Sequence, residues 1–165
     1  MKKILKVLGI ILGAVLVLLG GYLIYLFASY HRIPDNQQLE VETARNREDT
    51  EENKLTTDTE YSALTYNIGF GAYTPNFSFF MDGGKSSWAK SKDSVLETVQ
   101  GAGALAASYA PDFAMIEEID LDSTRSYHVD EYSILKDHFP DYYYVFAQNY
   151  DSAFLFYPFT QPHGS

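Results

Sequence analysis

The longest hydrophobic stretch of the chain covers residues 4–27 and is interrupted only by Lys6. As an α-helix this stretch would rise about 36 Å, enough to cross a hydrocarbon core of about 30 Å. A cleaved signal peptide is the alternative, but its apolar region is usually only about 7–15 residues long and ends at an A-x-A-like site. Residues 26–31, LFASYH, offer only a poor site of that kind. We therefore predict that residues 1–30 form an uncleaved signal-anchor transmembrane helix.

Three basic residues, Lys2, Lys3 and Lys6, lie at the start of this apolar run. Basic residues favour the cytoplasmic side of a membrane, so they predict a cytoplasmic N-terminus. The remainder of the chain would then lie outside the cell. The sequence predicts a single-pass protein of the cell membrane with an extracellular C-terminal domain.

Residues 31–59 are polar and mostly acidic, with few side chains that could anchor a core. This composition is typical of a solvated tether between the membrane and a folded unit. A short helix over residues 39–47 is compatible with the pattern. An interaction tail is the alternative to a plain spacer.

Residues 60–165 alternate between strand-like and helix-like segments, an α/β pattern. Three runs rich in β-forming or apolar residues predict strands: 61–68, 112–119 and 142–149. Two further runs predict helices: 91–110 and 126–139. A long loop rich in Gly, Pro, Ser and Asn, residues 69–90, joins the first strand to the first helix, and loops of this length are often functional.

The first of these helices has a recognisable start and a recognisable core face. Ser94 and Glu97 fit a capping box, and Ser91 is the alternative cap. Four residues at helical spacing predict the buried face: Leu96, Val99, Gly103 and Ala106. The helix would pack this face against the sheet.

Polar side chains stand at the ends of the first two predicted strands. A strand–helix–strand unit implies a right-handed crossover and parallel strands, so both strands end at one edge of the sheet. This edge is where open α/β sheets bind ligands. Asn67 and Glu118 are expected to converge there, with an amide oxygen and a carboxylate suited to Mg²⁺.

Charge and composition narrow the possible partners and chemistry. The formal net charge of −10 opposes the binding of long nucleic acid, because phosphate repulsion would have to be overcome. A site that handles phosphate would need a local cation, and a metal held by carboxylates would serve. The chain has no cysteine, which excludes disulfides, zinc–thiolate sites and thiol nucleophiles.

The segments LTYNIGFG (residues 64–71) and PDFAMIEEID (residues 111–120) resemble the first two motifs of the endonuclease/exonuclease/phosphatase superfamily, the DNase I-like fold. The segments DSTRSY and FAQNYDSAFLFYPFTQPHG also look like the membrane-anchored bacterial branch of that superfamily. The resemblance implies Asn67 as a residue that places metal and phosphate, and Glu118 as the ligand of a catalytic Mg²⁺ or Mn²⁺. Glu117 departs from the family, which usually has glutamine there. The implied activity is hydrolysis of a phosphoester substrate.

Other parts of the family pattern have no counterpart here. The family's Gly-Asp-x-Asn and Ser-Asp-His motifs are absent, and none of the four histidines matches the catalytic histidine. The sequence therefore predicts residues 60–165 to be the N-terminal part of a DNase I-like α/β sandwich, looking like the front half of such an enzyme. A catalytically inactive fragment and an extracellular binding module are the alternatives.

Three further residues are candidates for lesser roles. Asn149 is predicted to be a substrate-side polar group, with capping of a loop as the alternative. Arg125 is expected to form a structural ion pair, with a phosphate contact as the alternative. His128 is expected to be exposed on a helix.

Overall fold

The computed structural model describes residues 1–30, 32–43 and 54–165. Its N-terminal helix, α1, spans Lys2–Ser29, and none of its residues is buried. The helix is long and apolar enough to cross a membrane, a description that an anchor and a signal sequence both satisfy. The structure therefore confirms the predicted helix in its length and its apolar composition.

Two short strands and the helix between them form the centre of the globular part. Strand β1 spans Ala63–Asn67, helix α2 spans Lys92–Ser108 and strand β2 spans Phe113–Glu117. The strands are parallel and in a register that pairs Asn67 with Glu117. The predicted parallel unit is confirmed, and the fold is mixed helix and sheet. The described residues form a sheet of two strands, and a DNase I-like sandwich is not shown.

The prediction of a third strand over residues 142–149 is wrong. In this segment Tyr144 makes an isolated antiparallel bridge with Glu42, and the residues beyond it have no strand assignment. Tyr144 serves the core instead, since it is buried and its hydroxyl donates to the Phe139 carbonyl at 2.6 Å. A run of β-formers becomes a strand only where a neighbouring strand can pair with it.

Helix α2 begins at the alternative cap. The Ser91 hydroxyl accepts a hydrogen bond from the backbone N–H of Ser94 at 3.1 Å, so Ser91 is the N-cap and Ser94 lies inside the helix. The predicted buried face is correct except at one position, where Leu96 is exposed and Val95 is buried instead. At the start of the helix, the observed buried face is therefore shifted by one residue from the predicted face.

Helix α3 spans Glu131–His138 and is shorter than the predicted helix. Asp130 caps it by accepting from the backbone N–H of Ser133 at 2.9 Å. Tyr127 and His128 have positive φ angles of 58° and 57°, which interrupt any helix upstream of this cap. His128 is exposed as predicted, but on a turn.

The main core lies beneath the loop that follows β1. Phe70 is fully buried, and the rings of Phe77 and Phe79 pack edge-on against it at 6.0 and 5.8 Å. Val95 and Val99 of α2 complete the cluster from the other side. The long loop thus supplies core residues. Their packing holds the loop close to the ends of both strands.

The segment predicted as a tether contacts the globular part through described residues that include Glu42 and Thr56, and the backbone N–H of Thr56 donates to the Tyr61 hydroxyl at 2.8 Å. Glu42 accepts hydrogen bonds from the Tyr132 hydroxyl at 2.7 Å and from Lys136 Nζ at 2.8 Å. Residues 39–43 are not helical, and the remaining positions of the predicted short helix lie outside the described residues. His31 and much of the acidic segment, residues 44–53, also lie outside them.

The two-stranded sheet has one covered face and one open face. Leu64 and Tyr66 of β1 and Ala114 and Ile116 of β2 face the core. The alternate positions are exposed in both strands: Ala63, Thr65, Asn67, Phe113, Met115 and Glu117. Asn67 and Glu117 therefore end the open face at its carboxyl edge.

Candidate functional site

Asn67 and Glu118 meet at the carboxyl edge of the sheet. Asn67 Nδ2 donates to Glu118 Oε1 at 2.9 Å, and the backbone N–H of Gly69 donates to Asn67 Oδ1 at 2.9 Å. The Gly69 donor fixes which way the amide points, because only the carbonyl oxygen of Asn67 can accept it. The asparagine at the end of β1 therefore holds the carboxylate at the end of β2.

The backbone around this pair is built to keep the two ends together. The N–H groups of Ile68 and Phe70 donate to the carbonyls of Glu117 and Glu118 at 3.1 and 2.7 Å. Glu118 itself has a φ angle of 54°, in the left-handed region that non-glycine residues seldom adopt. Such conformations cost about 1–3 kcal/mol and cluster at functional sites. Phe70 shares this feature with a φ angle of 43°, so the strain at this edge includes the residue predicted as the metal ligand and its hydrogen-bonding neighbour.

Glu117 points to the open face of the sheet, where the Thr65 hydroxyl donates to its Oε1 at 2.9 Å. Thr65 lies two residues before Asn67 on the same face. A glutamine in place of Glu117 could accept the same bond through its carbonyl oxygen. The departure from the family pattern thus changes the charge at this edge without removing this contact.

The donor set fits a divalent cation in type but is small. Carboxylate and amide oxygens are the hard ligands that Mg²⁺ prefers, and Mg²⁺ often takes one or two carboxylates with waters and substrate phosphates. Among the described residues, no group of three or more His, Asp or Glu side chains is arranged to hold a metal ion. Glu118 would therefore be the principal protein ligand, with Asn67 beside it.

A largely buried ion pair lies near this edge. Arg125 donates through Nε and a terminal nitrogen to the two carboxylate oxygens of Asp120 at 3.0 and 2.8 Å. The guanidinium also lies 4.0 Å from the centroid of the Phe70 ring. The predicted structural ion pair of Arg125 is confirmed, and its partner is two residues beyond Glu118.

Sequence reasoning missed a buried acid next to this pair. Glu131 is fully buried, and its Oε2 accepts from the backbone N–H of Asp120 at 3.0 Å. Burial raises the pKa of Glu131 to about 8. Its Oε1 has no hydrogen-bond partner among the described residues. The only sequence signal was an acid in the first turn of a helix, which is normally a solvated position.

Two other side chains near Arg125 were also missed. His163 is buried, and burial lowers the pKa of its imidazole, with the Arg125 charge acting in the same direction. The pKa of Tyr73 is raised by burial and by its hydrogen bond to Asp82, with the charge of Glu118 adding to the rise. Tyr73 lies in the long loop and His163 in the segment FAQNYDSAFLFYPFTQPHG, and no spacing between them marks either as part of a site.

Asn149 does not join the pair at the sheet edge. It lines an open groove of about 490 Å³ together with Leu26, Tyr30 and Arg32 at the end of α1. Within the described part of the chain, no hydrogen bond connects Asn149 with Asn67 or Glu118. The structure thus brings together two of the three predicted site residues.

Comparisons with known proteins identify no relative. No family model, curated protein or solved structure matches the chain. The resemblance to the endonuclease/exonuclease/phosphatase superfamily therefore rests on the two sequence motifs.

Proposed function

We propose that the carboxyl edge of the sheet is the metal- and phosphate-binding part of a phosphoester hydrolase site of the endonuclease/exonuclease/phosphatase type. The observation that supports this most directly is the hydrogen bond between Asn67 Nδ2 and Glu118 Oε1. It joins the two residues that the motifs single out independently, across 51 positions of sequence.

Glu118 has the features of a ligand for a hard cation. Asn67 occupies its Oε1, while its Oε2 has no hydrogen-bond partner within residues 54–165. A bound Mg²⁺ would supply charge neutralisation at the phosphoryl oxygens of a substrate. The left-handed backbone of Glu118 fixes the direction in which the carboxylate leaves the strand.

Asn67 acts in this proposal mainly by positioning Glu118. Its Oδ1 already accepts the Gly69 N–H, although a carbonyl oxygen has a second lone pair that could reach a cation. Its Nδ2 neutralises part of the charge on Oε1, which leaves Oε2 as the stronger ligand. Loss of the amide would free the carboxylate to rotate.

Divalent metal binding by the full chain in detergent micelles tests the proposal, with Mn²⁺ as a paramagnetic probe. We expect a dissociation constant on the order of 1 mM, equivalent to about 4 kcal/mol, because few protein ligands are present. Glu118→Gln should weaken binding about tenfold or more, a loss of at least about 1.4 kcal/mol.

Glu117→Gln is the matched control, because it removes the same charge from the neighbouring residue and installs the glutamine of the family pattern. It should bind Mn²⁺ within about threefold of the unmodified chain, since the Glu117 carboxylate lies on the exposed face of the sheet, where water and salt screen its charge. Equal losses of Mn²⁺ affinity in both variants would mean that only the total charge of this edge matters, which would contradict the proposed site.

A non-catalytic binding module is the second candidate. The observation in its favour is the small ligand set, since the described residues hold no cluster of three metal-ligating side chains. The same titration separates the two, because a binding module predicts no Mn²⁺ affinity that depends on Glu118.

We also propose that α1 anchors this site in the cell membrane, with the N-terminus in the cytoplasm and the globular part outside. Its length supports a span, and Lys2, Lys3 and Lys6 support the orientation. A substrate would then be met at or beyond the outer surface of the cell.

A further inference from the structure

The end of the chain contacts the outer part of α1 through its backbone. The Tyr22 hydroxyl donates to the Phe154 carbonyl at 3.1 Å and accepts from the Phe156 N–H at 3.4 Å. The Tyr25 hydroxyl accepts from the Phe154 N–H at 3.1 Å. The rings of Tyr22 and Phe156 also pack edge-on with centroids 5.1 Å apart. We call residues 154–164 the aromatic loop.

The depth of these contacts follows from the geometry of a spanning helix. If residues 4–27 are centred in the bilayer, Tyr22 lies about 10 Å and Tyr25 about 14 Å from the midplane, at a rise of 1.5 Å per residue. The hydrocarbon core ends about 15 Å from the midplane. A loop that is hydrogen-bonded to both tyrosines must therefore lie at the outer boundary of the hydrocarbon.

The side chains of the loop suit that depth. Phe156, Tyr157 and Phe159 expose 52%, 63% and 84% of their surface. Residues 154–164 contain no Asp, Glu, Lys or Arg, in a chain with 34 such residues. Aromatic side chains concentrate at membrane–water interfaces, where an apolar ring enters the lipid and a polar group stays hydrated.

The backbone of the loop is also prepared for a poorly hydrated environment, where unpaired N–H and C=O groups are costly. Leu155 and Gly164 exchange two hydrogen bonds, at 2.9 and 3.1 Å. Within the turn, His163 donates to the Tyr157 carbonyl and Gln161 to the Pro158 carbonyl, both at 3.1 Å. Together with the tyrosine contacts, these bonds satisfy most N–H groups of the loop.

The loop is fixed to the globular part as well as to the helix. The Gln161 side chain accepts from the backbone N–H of Ser87 at 2.8 Å, and Trp88 Nε1 donates to the Pro162 carbonyl at 2.5 Å. It therefore connects the anchor to the segment that leads into α2, and a loop seated in lipid would orient the globular part on the membrane.

We propose that the aromatic loop is a membrane-docking surface that inserts Phe156, Tyr157 and Phe159 into the outer leaflet beside α1. This inference rests on the membrane anchorage proposed above. The occupant it requires is the lipid bilayer itself, because the surface is continuous with a helix that is proposed to span it. The site would then be held at the lipid surface, within reach of phosphoesters in lipid headgroups.

The absence of cysteine allows a direct test in the full chain. Single cysteines at Phe159 and Tyr157 would each carry an environment-sensitive fluorophore, in chains reconstituted into phosphatidylcholine vesicles. A portion of the lipid would carry a doxyl quencher on its acyl chains. We expect a blue shift of emission and loss of most of the fluorescence at both positions.

Two further positions make the outcome decisive. Leu16, in the middle of α1, reports on the anchor, and Tyr109, exposed after the last turn of α2, is the control outside the membrane. Tyr109 is suitable because it follows the last residue of α2, and this helix is about 25 Å long and begins beside the segment that contacts Gln161. It should stay unquenched.

Each pattern of quenching has one meaning. Quenching at Leu16 and both loop positions but not at Tyr109 supports the docking surface. Quenching at Leu16 alone overturns it while the anchor stands. A lack of quenching at Leu16 overturns the anchorage and the docking surface together. Equal quenching at Tyr109 and the loop contradicts a specific surface.

Discussion

Glu131 Oε2 accepts a hydrogen bond of 3.0 Å from the backbone N–H of Asp120, and the side chain of Glu131 is fully buried. The charges that face it are the carboxylate of Asp120, which raises its pKa, and the guanidinium of Arg125, which lowers it. Burial is the largest effect, and the pKa rises to about 8. The carboxyl is therefore protonated in the folded chain at neutral pH.

The raised pKa of Glu131 predicts that the free energy of unfolding falls as the pH rises. Between the ordinary pKa of 4.5 and the folded value of about 8, the folded state binds one proton more than the unfolded state. The free energy of unfolding therefore decreases with pH in this window, by about 1.4 kcal/mol per pH unit at most.

Urea unfolding at a series of pH values, followed by the emission of the single tryptophan Trp88, measures this slope. The range from pH 7.5 to 8 is the most informative for Glu131, because the imidazole of His163, whose pKa is lowered in the folded chain from an ordinary 6.5, is mostly neutral in both states there. Glu131→Gln should flatten the profile. A slope that persists in this variant would assign the effect to another group.

Two arginine–aspartate ion pairs predict very different costs of substitution. Arg125 and Asp120 form a buried pair, whereas Arg32 contacts both oxygens of Asp35 at 2.7 Å in an exposed pair. Breaking a buried pair leaves an uncompensated charge and costs about 3–5 kcal/mol, and exposed pairs contribute about 0–1 kcal/mol.

Arg125→Lys should therefore lower the free energy of unfolding by about 2 kcal/mol or more, because lysine keeps the charge but loses the planar fork. Arg32→Lys should change it by less than about 0.5 kcal/mol. Urea midpoints of both variants at one pH make the comparison. Similar small effects would mean that Arg125 is more hydrated than the structure shows.

The sequence predicts the strand–helix–strand unit well because each of its elements carries a local signal. Asn67 and Glu118 end the two apolar runs, and the parallel direction of the strands places both ends at one edge of the sheet. Both strands can be placed from the sequence alone, so the proximity of Asn67 and Glu118 could be predicted without the structure.

The elements that failed depend on contacts between distant residues. Tyr144 has strand-forming neighbours, but its bridge is to Glu42, a partner that no local pattern reveals. Likewise, Glu131 reads as an ordinary acid at a helix start, and it is buried only because α3 packs beside Asp120. Burial of a polar group is decided by packing, which composition does not encode.

The open face of the sheet predicts unequal costs for neighbouring positions of β2. Met115 is 52% exposed, whereas Ile116 packs against both hydrophobic clusters. Ile116→Ala should cost about 2 kcal/mol or more, and Met115→Ala less than about 1 kcal/mol. Urea unfolding of the two variants gives both values. A cost at Met115 as large as that at Ile116 would show that something covers this face in solution.

The orientation of α1 predicts which end of the chain a protease reaches. Lys2, Lys3 and Lys6 lie at the start of the apolar run, so the globular part should be outside the cell. Protease added to intact cells that express the chain should remove a C-terminal epitope and spare an N-terminal one. Protection of the C-terminal epitope until lysis would reverse the proposed topology.

The last prediction concerns hydrolysis by residues 1–165. In the proposed site Glu118 and Asn67 would hold a cation and a phosphate, but an attacking water also needs a group that accepts its proton. General acid–base assistance typically contributes about 10²–10⁴-fold, and the sequence has no counterpart of the family's catalytic histidine. We expect residues 1–165 to give no Mg²⁺-dependent turnover of bis(p-nitrophenyl) phosphate above the rate with Mg²⁺ alone. Addition of a segment that carries Gly-Asp-x-Asn and Ser-Asp-His motifs should produce that turnover.

Turnover by residues 1–165 alone that is lost both with EDTA and in Glu118→Ala would contradict this expectation. His163 would then be the first side chain to replace, because it is buried near Arg125 and its Nδ1 has no hydrogen-bond partner among the described residues.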